Sequence, residues 1–291
     1  MANATRSLRN PLLALTGHDF VWDGTLGYVA IHLACVGVFW AGEVRQGIAI
    51  CVGMYLIRAF ALSAAYHRYF AHRTFKTSRL LQFLLALLGT LSMQRGPLWW
   101  AATHRTHHRF AETPDDLHSP HYQGFWYSHC GWFLDRKNRA TDLSKVPDFA
   151  HYPELRWLDD WKGHTTLVIL HSVLLCWLFG WNGLFWGVCL SSIWILHTTH
   201  WIQSMSHSYG GYRRFPTRDK SRNHWLLGLT SLGEFHNNHH YCAASCRQGY
   251  VWWEIDICYY LLKAMSRLGL VWDLKDFPQP GPLARKAARV R

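Results

Sequence analysis

The chain has 291 residues, a net charge of +12, only 16% charged residues and 15% aromatic ones, 17 of these being Trp. This balance is membrane-like, and the near-zero mean hydropathy of −0.09 reflects segregation, with apolar runs alternating with stretches dense in His, Arg and Asp. The eight cysteines follow no disulfide pattern, and residues 1–20 include Asp19 and lack an apolar core, so neither a disulfide scaffold nor a secretory leader is expected.

In chain order, residues 1–24 read as a loose start with Arg6 and Arg9 at the cytoplasmic face. Apolar runs at 26–41 and 47–66, joined by a Gly-bounded turn, make a first transmembrane hairpin over about 26–66. Arg58 lies inside the second run, where an exposed charge is costly, so it is expected to face the protein interior or to snorkel toward the interface. The apolar run 80–93 has 14 residues against the ~20 that a span needs, and it reads as an interfacial or re-entrant helix within a cytosolic cap, 67–162. Two more apolar stretches, 165–179 and 183–201, flank the uncharged link Gly180-Trp181-Asn182-Gly183 and form a second hairpin over 165–201. Residues 203–275 return to the cap, with 249–270 read as an amphipathic helix, and 276–291, with Pro278, Pro280 and Pro282, form a tail.

The expected fold is therefore an all-α integral membrane protein, a single domain over 1–291. Four transmembrane helices in two hairpins carry a helical cytosolic cap, with both termini in the cytoplasm. The short uncharged outer link and the basic inner segments agree with the positive-inside rule. The basic face also suits acidic partners; nucleic acid is not among them.

Histidine is the chemistry-bearing residue. His67 and His72 bracket the first cluster, His104, His107 and His108 make the second, and His236, His239 and His240 the third. Residues at i, i+3 and i+4 share a helix face, so each triplet can converge on one point. His67 and His72 lie roughly 140° apart on a continuous α-helix and need a helix end between or just after them. Eight imidazoles are too many for one ion and about right for two. Neither triplet has the His-Glu-x-x-His form of a zinc protease or the Glu-x-x-His form of carboxylate di-iron bundles. The set reads as a nitrogen-rich di-iron centre, binding two iron ions (Fe2+/Fe3+) with O2 as co-substrate. Cys242 and Cys246 follow the third cluster but are not needed as ligands. His197 and His200 are expected as hydrogen-bonded core residues, and His118, His121 and His129 as residues of the polar cap.

These boxes, with the run His-Arg-Thr-Phe-Lys-Thr-Ser-Arg after the first, resemble the membrane-bound fatty acyl desaturases of the stearoyl-CoA type, particularly bacterial members, over about residues 20–275. The resemblance implies a ninth ligand, His207, from the run Gln203-Ser204-Met205-Ser206-His207, with Gln203 standing where the family has an Asn that holds a metal-associated water. It implies a substrate tunnel kinked by Trp100 and Thr199, with Gln94 nearby, and closed at its far end by Tyr55 and Ala59. His200 falls where the family usually has an aromatic residue. The implied reaction is oxygen-dependent introduction of a cis double bond, Δ9 being the common outcome, into a long-chain acyl group carried by CoA, a carrier protein or a lipid. Arg95, Arg136 and Lys137 could serve an acidic head on any of these.

No His-Pro-Gly-Gly haem motif is present, so electrons are expected from a separate ferredoxin, flavoprotein or cytochrome b type donor. The inner (cytoplasmic) membrane of a bacterium is the expected location, with the site on the cytoplasmic side. The same histidines would also serve a hydroxylase, epoxidase or acetylenase. A membrane metal-binding or transport protein is disfavoured because the clusters fall past helix ends rather than near the bilayer midplane.

Overall fold

The structure, a computed structural model, describes residues 16–277; Arg6, Arg9, Pro278, Pro280 and Pro282 lie outside them. The described residues are mostly helical, with one short antiparallel ladder, β1 (Lys76–Thr77) against β2 (Val271–Trp272). Three helices among them are long and apolar enough to cross a bilayer.

The first, α1 (Trp22–Ala34), runs on as 3₁₀ turns to Phe39. Its apolar window buries none of its residues, and Leu33 and Phe39 are 67% and 80% exposed, a face with the chemistry of the bilayer interior.

The second, α2 (Val44–Phe60), starts on Glu43, whose carboxylate accepts from the backbone N–H groups of Arg45 and Gln46 and so satisfies donors that a helix start leaves open. It continues without a break as a π-helix over Ala61–Ala71, beyond the end expected at 66. This resolves the awkward spacing of His67 and His72. A π-helix bonds i to i+5, the His72 N–H donates to the His67 carbonyl at 3.2 Å, and the two rings come to a centroid separation of 4.9 Å. Arg58 is wholly buried and faces inward. Its guanidinium donates to the carbonyls of Leu91 (2.8 Å) and Gly187 (2.9 Å) and to the Ser191 hydroxyl, and meets His171 Nε2 at 3.2 Å.

The apolar helix α3 (Arg79–Thr90), capped by Ser78, has 12 residues and is too short to span. Next, α4 (Pro97–Phe110) opens with Pro in its first turn, where no N–H is missed. The carboxylate of Asp159 accepts the Trp99 N–H at 2.7 Å, a charge-assisted cap supplied from the end of the short helix Pro153–Asp159.

The third long element is a run of 45 residues from Trp161 to Met205. Straight, it would measure about 68 Å, more than twice the ~30 Å hydrocarbon core. It is not straight: α5 (Trp161–Asn182) contains Gly180 at φ 60°, ψ −145°, a conformation open chiefly to glycine. The helix kinks there, and just beyond it a Cβ on Gly183 would fall 1.9 Å from the Leu175 carbonyl oxygen. A π-helical stretch, Gly183–Leu190, then leads into α6 (Ser191–Met205).

Past α6, only α7 (His236–Tyr241) and α8 (Ile257–Arg267) concern the site. The amphipathic helix expected over 249–270 is confined to α8. Two acids of that run are buried partners: Glu254 pairs with Arg214 at 2.8 Å and Asp256 with Arg68 at 2.9 Å. Asp256 then caps α8 by accepting the Tyr259 N–H. Placing two carboxylates inside requires an irregular chain before the helix begins.

Candidate metal centre

Helix α4 is fixed against the end of the π-helix by one residue. Arg105 forms a two-pronged pair with Asp148 (2.8 and 2.9 Å) and donates to the carbonyls of Phe70 (2.6 Å) and Ala71 (2.9 Å), which otherwise end the helix unsatisfied. Helix α7 is fixed by the two asparagines of its own box. Asn237 Oδ1 accepts the N–H groups of Arg214 and Phe215, both at 2.8 Å, and Asn238 donates to Gln248 O (2.7 Å) and to the Glu254 carboxylate (2.9 Å). With the asparagines turned outward to the cap, the three histidines of α7 turn inward.

Among the described residues, ring nitrogens gather in a group of five, His67, His72, His104, His108 and His239, and a group of four, His107, His207, His236 and His240; within each group the candidate donor atoms lie within 4.8 Å of one another. The expectation that each triplet converges on one point is corrected. His104 and His108 of α4 go to the first group and His107 to the second, while α7 sends His239 to the first and His236 and His240 to the second. Adjacent positions on a helix are about 100° apart, so two neighbouring centres share two helices. The groups touch, with ring centroids of His108 and His240 at 4.4 Å.

Four of the nine rings are oriented by carboxylates at Nδ1: His67 by Glu234 (2.9 Å), His107 by Asp116 (3.0 Å), His207 by Glu112 (3.0 Å) and His240 by Asp219 (2.9 Å). A carboxylate accepts, so Nδ1 carries the proton and the Nε2 lone pair points inward. Nε2 atoms then lie 2.9 Å apart for His67–His239, His72–His104 and His108–His239, and 2.8 Å apart for His207–His236. His107 and His240 bury Nε2 with no partner. For His67, His107, His207 and His240 the inward lone pair is fixed by the carboxylate, and a cation among the Nε2 atoms satisfies such lone pairs together. Two nitrogens bound at ~2.1 Å and at right angles sit ~3.0 Å apart, so the residues fit metal ions in both groups. Burial drives the imidazoles of His72, His104, His108, His236 and His239 well below their usual 6.5, with neighbouring imidazoles adding to the effect, and His240 down to about 4. Neutral rings are the form that ligates. Burial raises Asp116, Asp219 and Glu234, but the imidazole facing each one outweighs it and holds the carboxyl below its usual range.

A cavity opens beside both groups between α2 and α6. Ala59, Trp100, Thr199 and Gln203 all line it, with His67, His104, His107 and His236 at its metal-facing end. Trp100 stacks on His104 at 4.9 Å, Gln94 Nε2 donates to Thr199 Oγ1 at 3.1 Å, and Gln203 Oε1 accepts the Trp132 indole N–H at 3.0 Å. Tyr55 is buried behind the lining residue Thr198, its hydroxyl 3.2 Å from Thr198 Oγ1 and donating to the Thr230 carbonyl at 2.7 Å.

The three basic residues considered for an acidic head differ in their surroundings. Arg95 lines a second cavity together with Arg139, Asp23 and Asp159, and its guanidinium lies 4.6 Å over Trp99. Arg136 pairs with Asp19 at 2.9 Å, and Lys137 lies 3.8 Å from Asp135. Cys242 and Cys246 belong to neither histidine group.

Sequence reasoning missed the four carboxylates and the position of His118, which stacks on His107 at 4.3 Å and lines the cavity. Glu112, Asp116 and Glu234 lie close to the boxes in sequence. Asp115 is equally close, and nothing in the run of letters separates an orienting acid from a solvated one.

A family model described as fatty acid desaturase matches residues 46–273. The chain is 32% identical over 262 residues to the sn-1 stearoyl-lipid 9-desaturase of Anabaena variabilis, covering 87% of this chain and 93% of that protein. It is 37% identical over 226 residues to Delta-9 acyl-lipid desaturase 2 of Arabidopsis thaliana (76% and 72% of the two chains). To the icosanoyl-CoA 5-desaturase of Limnanthes douglasii it is 33% identical over 269 residues (91% and 68%). Matched over most of its length, histidine boxes and apolar helices included, the chain belongs to the fatty acid desaturase family, membrane-bound oxidoreductases that desaturate fatty acyl chains.

Proposed function

We propose that the two histidine groups each hold one iron and that the protein uses O2 and two external electrons to place a cis double bond, at Δ9, in a long-chain acyl group. The observation that carries this reading is the inward convergence of nine imidazoles, in groups of five and four, beside a largely apolar cavity. Iron bound there supplies an oxidant able to remove hydrogen from an unactivated C–H bond, which no side-chain acid or base can do.

The chain's own residues orient, position and exclude water. Glu112, Asp116, Asp219 and Glu234 fix the rings through their Nδ1 protons. Trp100 and the Gln94–Thr199 pair bend the acyl chain where it passes the metal-facing end, and the apolar wall of Ala59, Leu62 and Ile195 keeps it dry. Gln203 stands ready to hold a solvent molecule beside the four-histidine group. Overall, the acyl chain loses two hydrogens, and these with two protons and two donated electrons reduce O2 to two waters. The electrons come from a separate ferredoxin, flavoprotein or cytochrome b type donor.

The kink at Gly180 divides the 45-residue run and supports four spans in two hairpins, with the histidines in a cap on the cytoplasmic side of a bacterial inner membrane. Acyl-lipid and acyl-CoA desaturases both occur among the relatives, and a glycerolipid or acyl-CoA carrier fits this reading; Arg95, open to a cavity, is the best placed of the basic residues to meet an acidic head.

The test is iron per chain together with gas chromatography after supplying stearoyl-CoA or a stearoyl glycerolipid, O2 and a reductase system. The expected result is about two irons and an oxygen-dependent cis-monoene at Δ9. A hydroxylated product, or iron-reconstituted protein with no oxygen-dependent turnover on either carrier, overturns it. Tyr55 gives a finer test. Removing its ring in Tyr55→Ala opens space behind Thr198, and the preferred acyl length in a graded series of substrates is expected to rise. An unchanged preference removes Tyr55 as the floor.

A further inference from the structure

A second gathering of histidines shares no residue with the nine. His32 lies on α1, His129 in the short turn Tyr127–Gly131, and His197 and His200 on α6. Their proton inventory does not close.

His32 Nδ1 is 2.7 Å from the Tyr28 carbonyl, which only accepts, so that nitrogen carries the proton and the Nε2 of the neutral ring is a lone pair. His197 Nε2 meets it at 3.0 Å and must donate, which leaves His197 Nδ1 without a proton. At the other end, the Ser204 hydroxyl spends its one proton on the His200 carbonyl at 2.8 Å. His129 Nδ1, 3.0 Å from Ser204 Oγ, is therefore the donor to it, which leaves His129 Nε2 as a lone pair. Those two bare nitrogens, His129 Nε2 and His197 Nδ1, face each other at 3.0 Å.

With the Ser204 proton on the His200 carbonyl, a cation relieves that arrangement, and a third imidazole is present to share it. His200 is 3% exposed and its Nδ1 has no partner. One ring nitrogen from each of His129, His197 and His200 lies within 4.8 Å of the others. A lone excess proton would engage two of these rings and leave the third unsatisfied in a buried place, at the usual cost of an orphaned polar atom. Three imidazoles are the protein donor set of a zinc site whose fourth position goes to solvent, and their nitrogens do not suit calcium or magnesium.

We propose that His129, His197 and His200 form a third metal site that takes a divalent ion of the zinc class, with His32 and Ser204 as outer hydrogen-bond partners that set the ring tautomers. Such an ion ties the cap turn at His129 to α6, the helix that carries Gln203 at its end and leads to His207.

The test uses full-length, iron-loaded protein in detergent, equilibrated with a small excess of Zn2+ and then freed of loose metal. Elemental analysis is expected to give about one zinc per chain in addition to the iron. His200→Phe, which restores the aromatic usual at this position in related chains, and His129→Gln are each expected to lose that zinc while iron is unchanged. With Cu2+ in place of zinc, nitrogen splitting in the EPR spectrum is expected to report about three imidazoles in the parent and fewer in His200→Phe. Zinc retained equally by parent and variants places it elsewhere and overturns the site. So does a parent that retains none, in which case Ser204 has turned its proton toward His129 and the cluster is a hydrogen-bonded chain only.

Discussion

Replacing His207 with alanine is expected to lower bound iron from about two per chain to about one and to bring desaturation to background. His207 shares its group with only His107, His236 and His240, and its Nε2 lies 2.8 Å from that of His236. Three imidazoles would remain where four converge. Unlike the other eight, His207 stands outside the three dense boxes, so the substitution also tests the placement of the ninth donor. The loss should exceed the ~10–100-fold cost typical of removing an outer partner of a ligand, because a donor itself is gone. It also leaves Glu112, whose Oε1 faces His207 Nδ1 at 3.0 Å, with the Ser119 hydroxyl at 3.2 Å in place of two partners. A buried acid that loses a partner costs stability, so a modest fall in Tm is expected as well. His207→Gln, which keeps a polar group near Glu112, separates the two effects: iron and activity stay low while Tm recovers. Two irons per chain with substantial turnover in both variants would remove His207 from the centre.

Much of the chain's plan could be read in its letters, and the failures have physical causes. The histidine boxes stand out because clustered imidazole is rare, and the shortness of 80–93 excluded a span from length alone. The sharing of α4 and α7 between two centres was not visible, since i, i+3 and i+4 spacing fixes a helix face but not where the partner helices stand around it. The π-helix before His72 was hidden because its residues, Ala61–Ala71, also suit an α-helix; what selects the wider coil is tertiary, including Arg105 holding the carbonyls of Phe70 and Ala71. Within the run read as one amphipathic helix, Glu254 and Asp256 are buried against Arg214 and Arg68, partners that lie far away in sequence and so leave no local signal. Gly180 was placed in a loop by its neighbours, and its φ of 60° breaks the helix within that uncharged link.

Glu234→Gln is the second large effect expected. Glu234 is 7% exposed, sits on the wall of the cavity and holds His67 Nδ1 at 2.9 Å. The amide of Gln248, its NH2 turned to Glu234 at 3.0 Å, completes the carboxylate's partners. Glutamine keeps the size of the side chain and removes its charge. An ionised acid strengthens the lone pair at His67 Nε2 by drawing on the Nδ1 proton, and a neutral amide does so far less; with Gln248 unchanged, the amide is also pressed to present its oxygen to His67 and its nitrogen to Gln248 at once. Retention of iron against a chelator and turnover are therefore expected to fall ~10–100-fold, with Tm little changed. The sign is informative. If the carboxylate mattered only as a proton carrier, iron retention would stay at the parent level and activity alone would fall; if it mattered only for packing, both would survive in Glu234→Gln. A loss of both in step is the signature of an acid that works through the ring it holds.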